Sequence, residues 1–195
     1  MPVPVLCIVG KKKSGKTTLI EGLLPELISL GLSVGTLKHD AHSFEMDREG
    51  KDSWRHRRAG AATVVVSSPA QVAVIRSVDR EMSLAELAEV YFSDRQLVLA
   101  EGYFRSDMPK IEVFRAEAHA QPLCHRGNAE EKRLLAMVAD ARTDVGVPLF
   151  SPDDSAGLAE WIARRFHGWV RSGLWSADRV GEGSCHPGGR RTARR

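Results

Sequence analysis

Residues Gly10 to Thr18, read as Gly-Lys-Lys-Lys-Ser-Gly-Lys-Thr-Thr, constrain the chain more than any other stretch. Just before them runs Val3, Val5, Leu6, Cys7, Ile8 and Val9, apolar and branched as a buried strand requires. Just after them Leu19, Ile20, Leu23, Leu24, Leu27 and Ile28 recur at helical spacing, with Gly31 as a stop. Strand, glycine-bounded loop and helix with the spacing G-x-x-x-x-G-K-T make a phosphate-binding P-loop. The glycines, Gly10 and Gly15, let the backbone of Lys13, Ser14, Gly15 and Thr18 wrap a phosphate, with N–H groups and the helix N-terminus pointing inward. Lys16 then reaches the β- and γ-phosphates, and the Thr17 hydroxyl ligates Mg²⁺. The expectation is a nucleoside triphosphate site.

The rest of the chain alternates strands with helices. Ser33 to Lys38, Gln96 to Ala100, Leu134 to Ala139 and Val147 to Phe150 read as strands, and Lys110 to Phe114 as an alternating one. Thr63 to Val66 and Gln71 to Ile75 flank Ser67-Ser68-Pro69 in a strand–turn–strand pattern. Ser53 to Ala59 reads as a short helix, and Ser83-Leu84-Ala85-Glu86 is a capping box opening another. Ser151-Pro152-Asp153-Asp154 caps a last helix, with the proline placed in its first turn. Pro25 breaks the pattern inside the first helix. The fold class that follows is α/β, a P-loop NTPase three-layer arrangement of a mostly parallel sheet with helices on both faces.

Phosphate chemistry at such a loop needs a carboxylate at the end of a neighbouring strand. Leu97-Val98-Leu99-Ala100-Glu101 has that form, so Glu101 is the candidate Mg²⁺ ligand or water-orienting group beside Lys16. Asp40, after the second strand, is a further Mg²⁺ candidate. His39 and His42 around it make H-x-x-H, a zinc spacing only on a helix, and a polar loop lining the nucleotide site is the plainer reading. Arg55, Arg57 and Arg58 suit either a second phosphate-bearing ligand or a solvated helix face. Lys11, Lys12 and Lys13 either strengthen anion binding, reach across a dimer interface, or are merely exposed. Asp140, after Leu134 to Ala139, is placed to accept the paired N1–H and N2–H donors of guanine, although no Asn-Lys-x-Asp signature is present.

Charge bears on partners. The five arginines from residue 176 onward outnumber Asp178 and Glu182 by three, which is the whole net charge of +3. The division expected is therefore a nucleotide-binding domain over 1–175 and a disordered basic tail over 176–195. The balanced body argues against nucleic acid, and no apolar run approaches the roughly 20 residues that cross a membrane. Cys7, Cys124 and Cys185 stand far apart, which fits a reduced, cytoplasmic setting.

Taken in order, these segments resemble the molybdopterin-guanine dinucleotide biosynthesis protein B family. The resemblance rests on the P-loop, Leu37-Lys38-His39-Asp40 with His42, Gly50-Lys51-Asp52-Ser53 leading to Arg57, Ala59, Gly60 and Ala61, and Leu99-Ala100-Glu101-Gly102-Tyr103. It continues through Pro109-Lys110-Ile111-Glu112-Val113 with Arg115 and ends at Val138-Ala139-Asp140. It implies a P-loop GTP-binding accessory protein, commonly a homodimer, with weak GTPase activity. Such a protein assists the guanylyltransferase that joins GMP to molybdopterin during molybdenum cofactor maturation. The alternatives are a P-loop small-molecule kinase and a GTP-driven metallochaperone.

Overall fold

Val5–Val9 (β1) is buried at all five positions, and the alternation of strand side chains explains why all five are apolar. Leu6 and Ile8 enter one core with Leu19, Leu23 and Leu27 of α1 (Lys16–Ser29) and Leu158, Ile162 and Phe166 of α4 (Ser155–Ser172). Val5, Cys7 and Val9 enter the opposite core with Leu84 and Ala88 of α3 (Leu84–Phe92). The structure, a computed structural model, describes residues 2–40, 44–125, 133–143 and 145–172, the side chains as far as Phe166. His42 and the 176–195 tail lie outside the described residues.

The main sheet joins β2 (Val34–Lys38), β5 (Leu97–Glu101), β1, β6 (Lys110–Phe114), β7 (Leu134–Ala139) and β8 (Leu149–Phe150) in that order. Every neighbouring pair is parallel. Such a sheet needs both faces covered, and α1 with α4 on one side and α3 on the other supply the cover. β1 therefore lies between β5 and β6, and the carboxyl ends of these three strands define the place where an open α/β sheet takes a ligand.

Local chemistry sets the helix ends. α1 stops where Leu32 N–H reaches Leu27 O and Gly31 N–H reaches Ile28 O, the paired bonds of a Schellman cap around Gly31 at φ 83°. The helix runs on through Pro25, whose presence nothing in the structure explains. Ser83 and Glu86 close a reciprocal capping box on α3. At α4 the expected proline position is corrected. The helix begins at Ser155, Asp154 Oδ1 accepts Gly157 N–H at 2.9 Å, and Pro152 stands in the turn ahead of the helix. A carboxylate at the N-cap satisfies the free amides there and leaves the proline outside.

Two strands also differ from expectation. β6 does not alternate: all five residues are buried, Lys110 and Glu112 each at 1% exposure. Their charged ends are used internally. Lys110 Nζ donates to Phe104 O at 2.5 Å and Ser106 O at 3.1 Å. Glu112 accepts from Leu123 N–H at 2.5 Å and Cys124 N–H at 2.7 Å. Burial of a charge is tolerable when hydrogen bonds replace its water, and here each one ties down a loop. β8 starts at Leu149, not Val147, because Pro148 has no N–H for the ladder and contributes only its carbonyl, to Met137 N–H at 2.9 Å.

β3 (Thr63–Ser67) and β4 (Val72–Arg76) form a separate antiparallel hairpin beside α2 (Asp52–Arg58). Val64 is buried, whereas Val65, Val66, Val72 and Val74 are exposed. Among the described residues no helix is long and apolar enough to cross a membrane.

Candidate functional site

The site begins where β1 ends. Gly10 turns the chain at φ 148°, and a Cβ there would lie 2.4 Å from Val113 O of β6 and 2.6 Å from Ser14 Oγ. Only a hydrogen fits at that position, so the loop folds tightly against the neighbouring strand. Ser14 N–H returns to Lys11 O at 3.2 Å, and Lys13 takes a left-handed conformation at φ 65°. Gly15 is the N-cap of α1 and offers no capping side chain. The first helical bond runs from Leu19 N–H to Gly15 O at 2.9 Å, so the amides of Lys16, Thr17 and Thr18 have no acceptor within the helix. Free amides and a helix dipole of this kind suit an anion.

Lys16 folds back over the loop, its Nζ donating to Gly10 O at 2.9 Å and Lys11 O at 2.8 Å. Burial pushes its pKa below the ordinary lysine value, while Glu101 raises it and Lys38 lowers it further. Thr17 Oγ1 meets both carboxylate oxygens of Glu101, at 3.2 and 3.1 Å. Sheet register explains that meeting, since Glu101 ends β5 opposite Ile8 of β1 and Lys38 of β2. Backbone bonds from Gly102 N–H to Ile8 O and from His39 N–H to Glu101 O, both 3.0 Å, hold the strand end in place. Beyond it Gly102 and Tyr103 both take positive φ, at 96° and 56°.

The structure brings Lys13, Gly15, Lys16, Thr17, Thr18 and Glu101 together, with Lys12, around one cleft of about 400 Å³. Ser14, in the same loop, is buried at 1% exposure beside Gly10, and its hydroxyl has no hydrogen-bond partner among the described residues. A buried orphan hydroxyl, open amides and a glycine cradle fit a polyphosphate. The Thr17 hydroxyl facing a carboxylate fits Mg²⁺, which takes one or two carboxylates and leaves its other positions to phosphates and water.

Other candidates lie elsewhere. Asp40 is exposed just past the end of β2 and does not line the cleft. His39 Nε2 donates to Glu81 Oε1 at 2.9 Å, and its ring packs 4.8 Å from that of Tyr103. It serves a polar loop beside the cleft. Asp140 directly follows β7, two strands from β1, and its Oδ1 accepts Ala116 N–H at 2.8 Å. Arg55 lies 3.8 Å from Asp52, Arg57 lies 4.0 Å from Glu45, and Arg58 covers the Trp54 ring, all away from the cleft.

Arg115 is the residue whose place sequence reasoning did not foresee, beyond quoting it within a family pattern. A Cβ built on Gly15 would meet its guanidinium at 3.7 Å. The signal was an arginine directly after a buried strand, but its meaning needs the sheet order that sets β6 beside β1. Two contacts dock the following segment on the P-loop. His119 Nε2 donates to Lys12 O at 2.8 Å, and Lys11 Nζ donates to Gln121 O at 2.7 Å.

A parallel sheet, a glycine-bounded loop from its central strand into a helix, and a carboxylate ending the adjacent strand define a protein of the P-loop fold class. Within that class the chain belongs to the MobB family, described as molybdopterin guanine dinucleotide synthesis protein B, which matches residues 5–140. It is 41% identical over 118 residues to the molybdopterin-guanine dinucleotide biosynthesis adapter protein of Haemophilus influenzae, covering 59% of this chain and 65% of that one. The match thus spans just under two thirds of that relative. To the adapter protein of Escherichia coli it is 31% identical over 163 residues, 82% of this chain and 91% of the relative. Among solved structures, a molybdopterin-guanine biosynthesis protein B aligns at TM-score 0.64 and 33% identity, over 84% of this chain and 99% of the other. Bacillus subtilis MobB aligns at 0.66 and 27%, over 83% and 97%.

Proposed function

We propose that this protein is a GTP-binding adapter in the synthesis of molybdopterin guanine dinucleotide, with weak Mg²⁺-dependent GTPase activity, and that it assists the guanylyltransferase. The observation that carries the reading is the Lys16–Thr17–Glu101 constellation at the end of β1 and β5, in a chain of this family. Lys16 leaves its loop carbonyls for the β- and γ-phosphate oxygens, and the loop amides and Ser14 complete the cradle. Thr17 and Glu101 hold Mg²⁺, which when bound neutralises charge on the phosphates. Asp40, exposed two residues past the end of β2, is the further candidate, for an outer water of that ion. Asp140 turns its remaining acceptor capacity to the guanine N1–H and N2–H donors.

The working unit in this reading is a homodimer. An isolated two-stranded hairpin is marginal in water, and β3–β4 exposes four valines on two open strand edges. Those features support pairing with a second copy.

Glu101→Gln is expected to leave GTP affinity within about threefold and to lower hydrolysis at least tenfold, because the group acts mainly on metal and water in the transition state. Calorimetry beside a phosphate-release assay checks it, and equal loss of both would assign Glu101 a structural role. The function itself is tested by reconstitution of guanylyltransferase, molybdopterin and limiting GTP, with this protein, with its Lys16→Ala variant, or with neither. Stimulation by the unmodified protein alone is expected. Equal product in all three mixtures, with phosphorylation of a small metabolite by this protein alone, would favour a kinase instead.

A further inference from the structure

The loop after β6 holds a cation that the reading above leaves unused. Arg115 is half-buried one residue past the end of β6, with Nε and Nη2 each 3.7 Å from where a Gly15 Cβ would be. Its guanidinium has no hydrogen-bond or ion-pair partner among the described residues. The backbone beneath it is fixed on several sides. Arg115 O accepts Ala118 and His119 N–H at 3.2 and 3.0 Å, Ala116 N–H is held by Asp140, and the His119 ring is held by Lys12 O. A rigid segment therefore holds a planar fork of five donors, unmet by the described residues, against the N-cap of α1.

The direction of a bound nucleotide follows from the sheet. Thr17 meets Glu101 on the β5 flank of β1, which places the metal and the terminal phosphates on that flank. The nucleoside leaves the other end of the polyphosphate. It therefore lies toward the β6–β7 flank, where Arg115 and Asp140 are. Of the bases, guanine presents two acceptors, O6 and N7, side by side on one edge, matching a guanidinium fork. Adenine puts the N6 donors where O6 would be.

We propose that Arg115 reads the O6/N7 edge of guanine and sets the preference for GTP over ATP. This rests on the GTP-binding reading and adds the residue that selects the base. Asp140 faces the opposite donors of the same ring, and its bond to Ala116 N–H couples the two readers through one loop.

The test uses the full chain, with Arg115→Ala and Arg115→Lys, and calorimetry with Mg²⁺ and GTP, ATP or 7-deaza-GTP, which lacks N7. A bidentate guanine contact discriminates by about 5- to 150-fold. Arg115→Ala is expected to lose that much affinity for GTP and none for ATP. 7-Deaza-GTP is expected to bind the unmodified protein more weakly than GTP, and Arg115→Ala to bind the two alike. Arg115→Lys keeps the charge without the fork and is expected to lose the preference as well. Matched thermal unfolding of the three proteins shows that the fold is intact. Equal losses for GTP and ATP, restored by lysine, would make Arg115 a phosphate contact and overturn the proposal, as would unchanged GTP affinity in Arg115→Ala. Failure of the unmodified protein to bind any nucleotide would overturn the GTP-binding reading and this proposal with it. ATP binding without GTP preference would overturn this proposal alone.

Discussion

Lys16→Ala is expected to weaken Mg²⁺·GTP binding by at least tenfold while shifting the unfolding midpoint by no more than a few degrees. The two effects separate because the side chain has different partners in each state. Without ligand, Nζ caps the carbonyls of Gly10 and Lys11 at a partly exposed position, and water replaces it there at little cost. In the proposed GTP complex the same ammonium faces phosphate oxygens, and a hydrogen bond between charged groups contributes roughly 1.5–3 kcal/mol. That range corresponds to about 10- to 150-fold in affinity. Calorimetry gives the binding term and a thermal melt gives the folding term. An unchanged affinity would remove the P-loop from the mechanism. A collapse of the fold would show that Lys16 serves chiefly to hold its own loop.

The parts of this site legible in the sequence are those that local spacing sets. Lys13, Gly15, Lys16 and Thr17 are neighbours in one stretch, so their meeting around a cleft follows from the motif alone. Glu101 was within reach because an acid ending a wholly apolar strand has few meanings beside a P-loop, and the Thr17 contact places it there. Arg115 was not within reach. Its position depends on β6 lying next to β1, a long-range fact that no periodicity encodes. Asp140 illustrates the intermediate case. Its place at a strand end was readable, but its bond to Ala116 N–H, across from the end of β6, was not.

β6 itself shows why alternation misled. Lys110, Glu112 and their apolar neighbours have the period of a strand with one wet face. The strand is instead covered on both faces, and its charges stay buried because Phe104, Ser106, Leu123 and Cys124 offer backbone partners. A polar residue in a strand signals solvent only if no loop folds over it. The Pro152 reading failed for a related reason: Asp154, two residues on, is the better acceptor for helix amides and moves the helix start past the proline.

Gly10→Ala is expected to be the most damaging single-methyl change in the loop, lowering stability by about 2–6 kcal/mol. Two terms add. A side chain held at φ 148° costs about 1–3 kcal/mol in backbone strain. Overpacking costs about 1–3 kcal/mol more, since the new carbon would sit 2.4 Å from Val113 O, a backbone atom of a central strand with little freedom to move. For a chain of 195 residues each kcal/mol moves the midpoint by about 2–4 °C, so a loss of about 4–24 °C is expected. Gly31→Ala separates the two terms. Gly31 also has positive φ, at 83°, but nothing stands within 4 Å of its would-be Cβ, so only strain of about 1–2 kcal/mol applies. The same pair divides function from fold. Gly10→Ala displaces the loop from β6 and is expected to depress GTP affinity along with stability, whereas Gly31→Ala, at the far end of α1, is expected to leave affinity unchanged. Equal melting losses in the two variants would show that the loop can draw away from Val113. The close approach of P-loop and β6, on which the placement of Arg115 also depends, would then not be a fixed property of the fold.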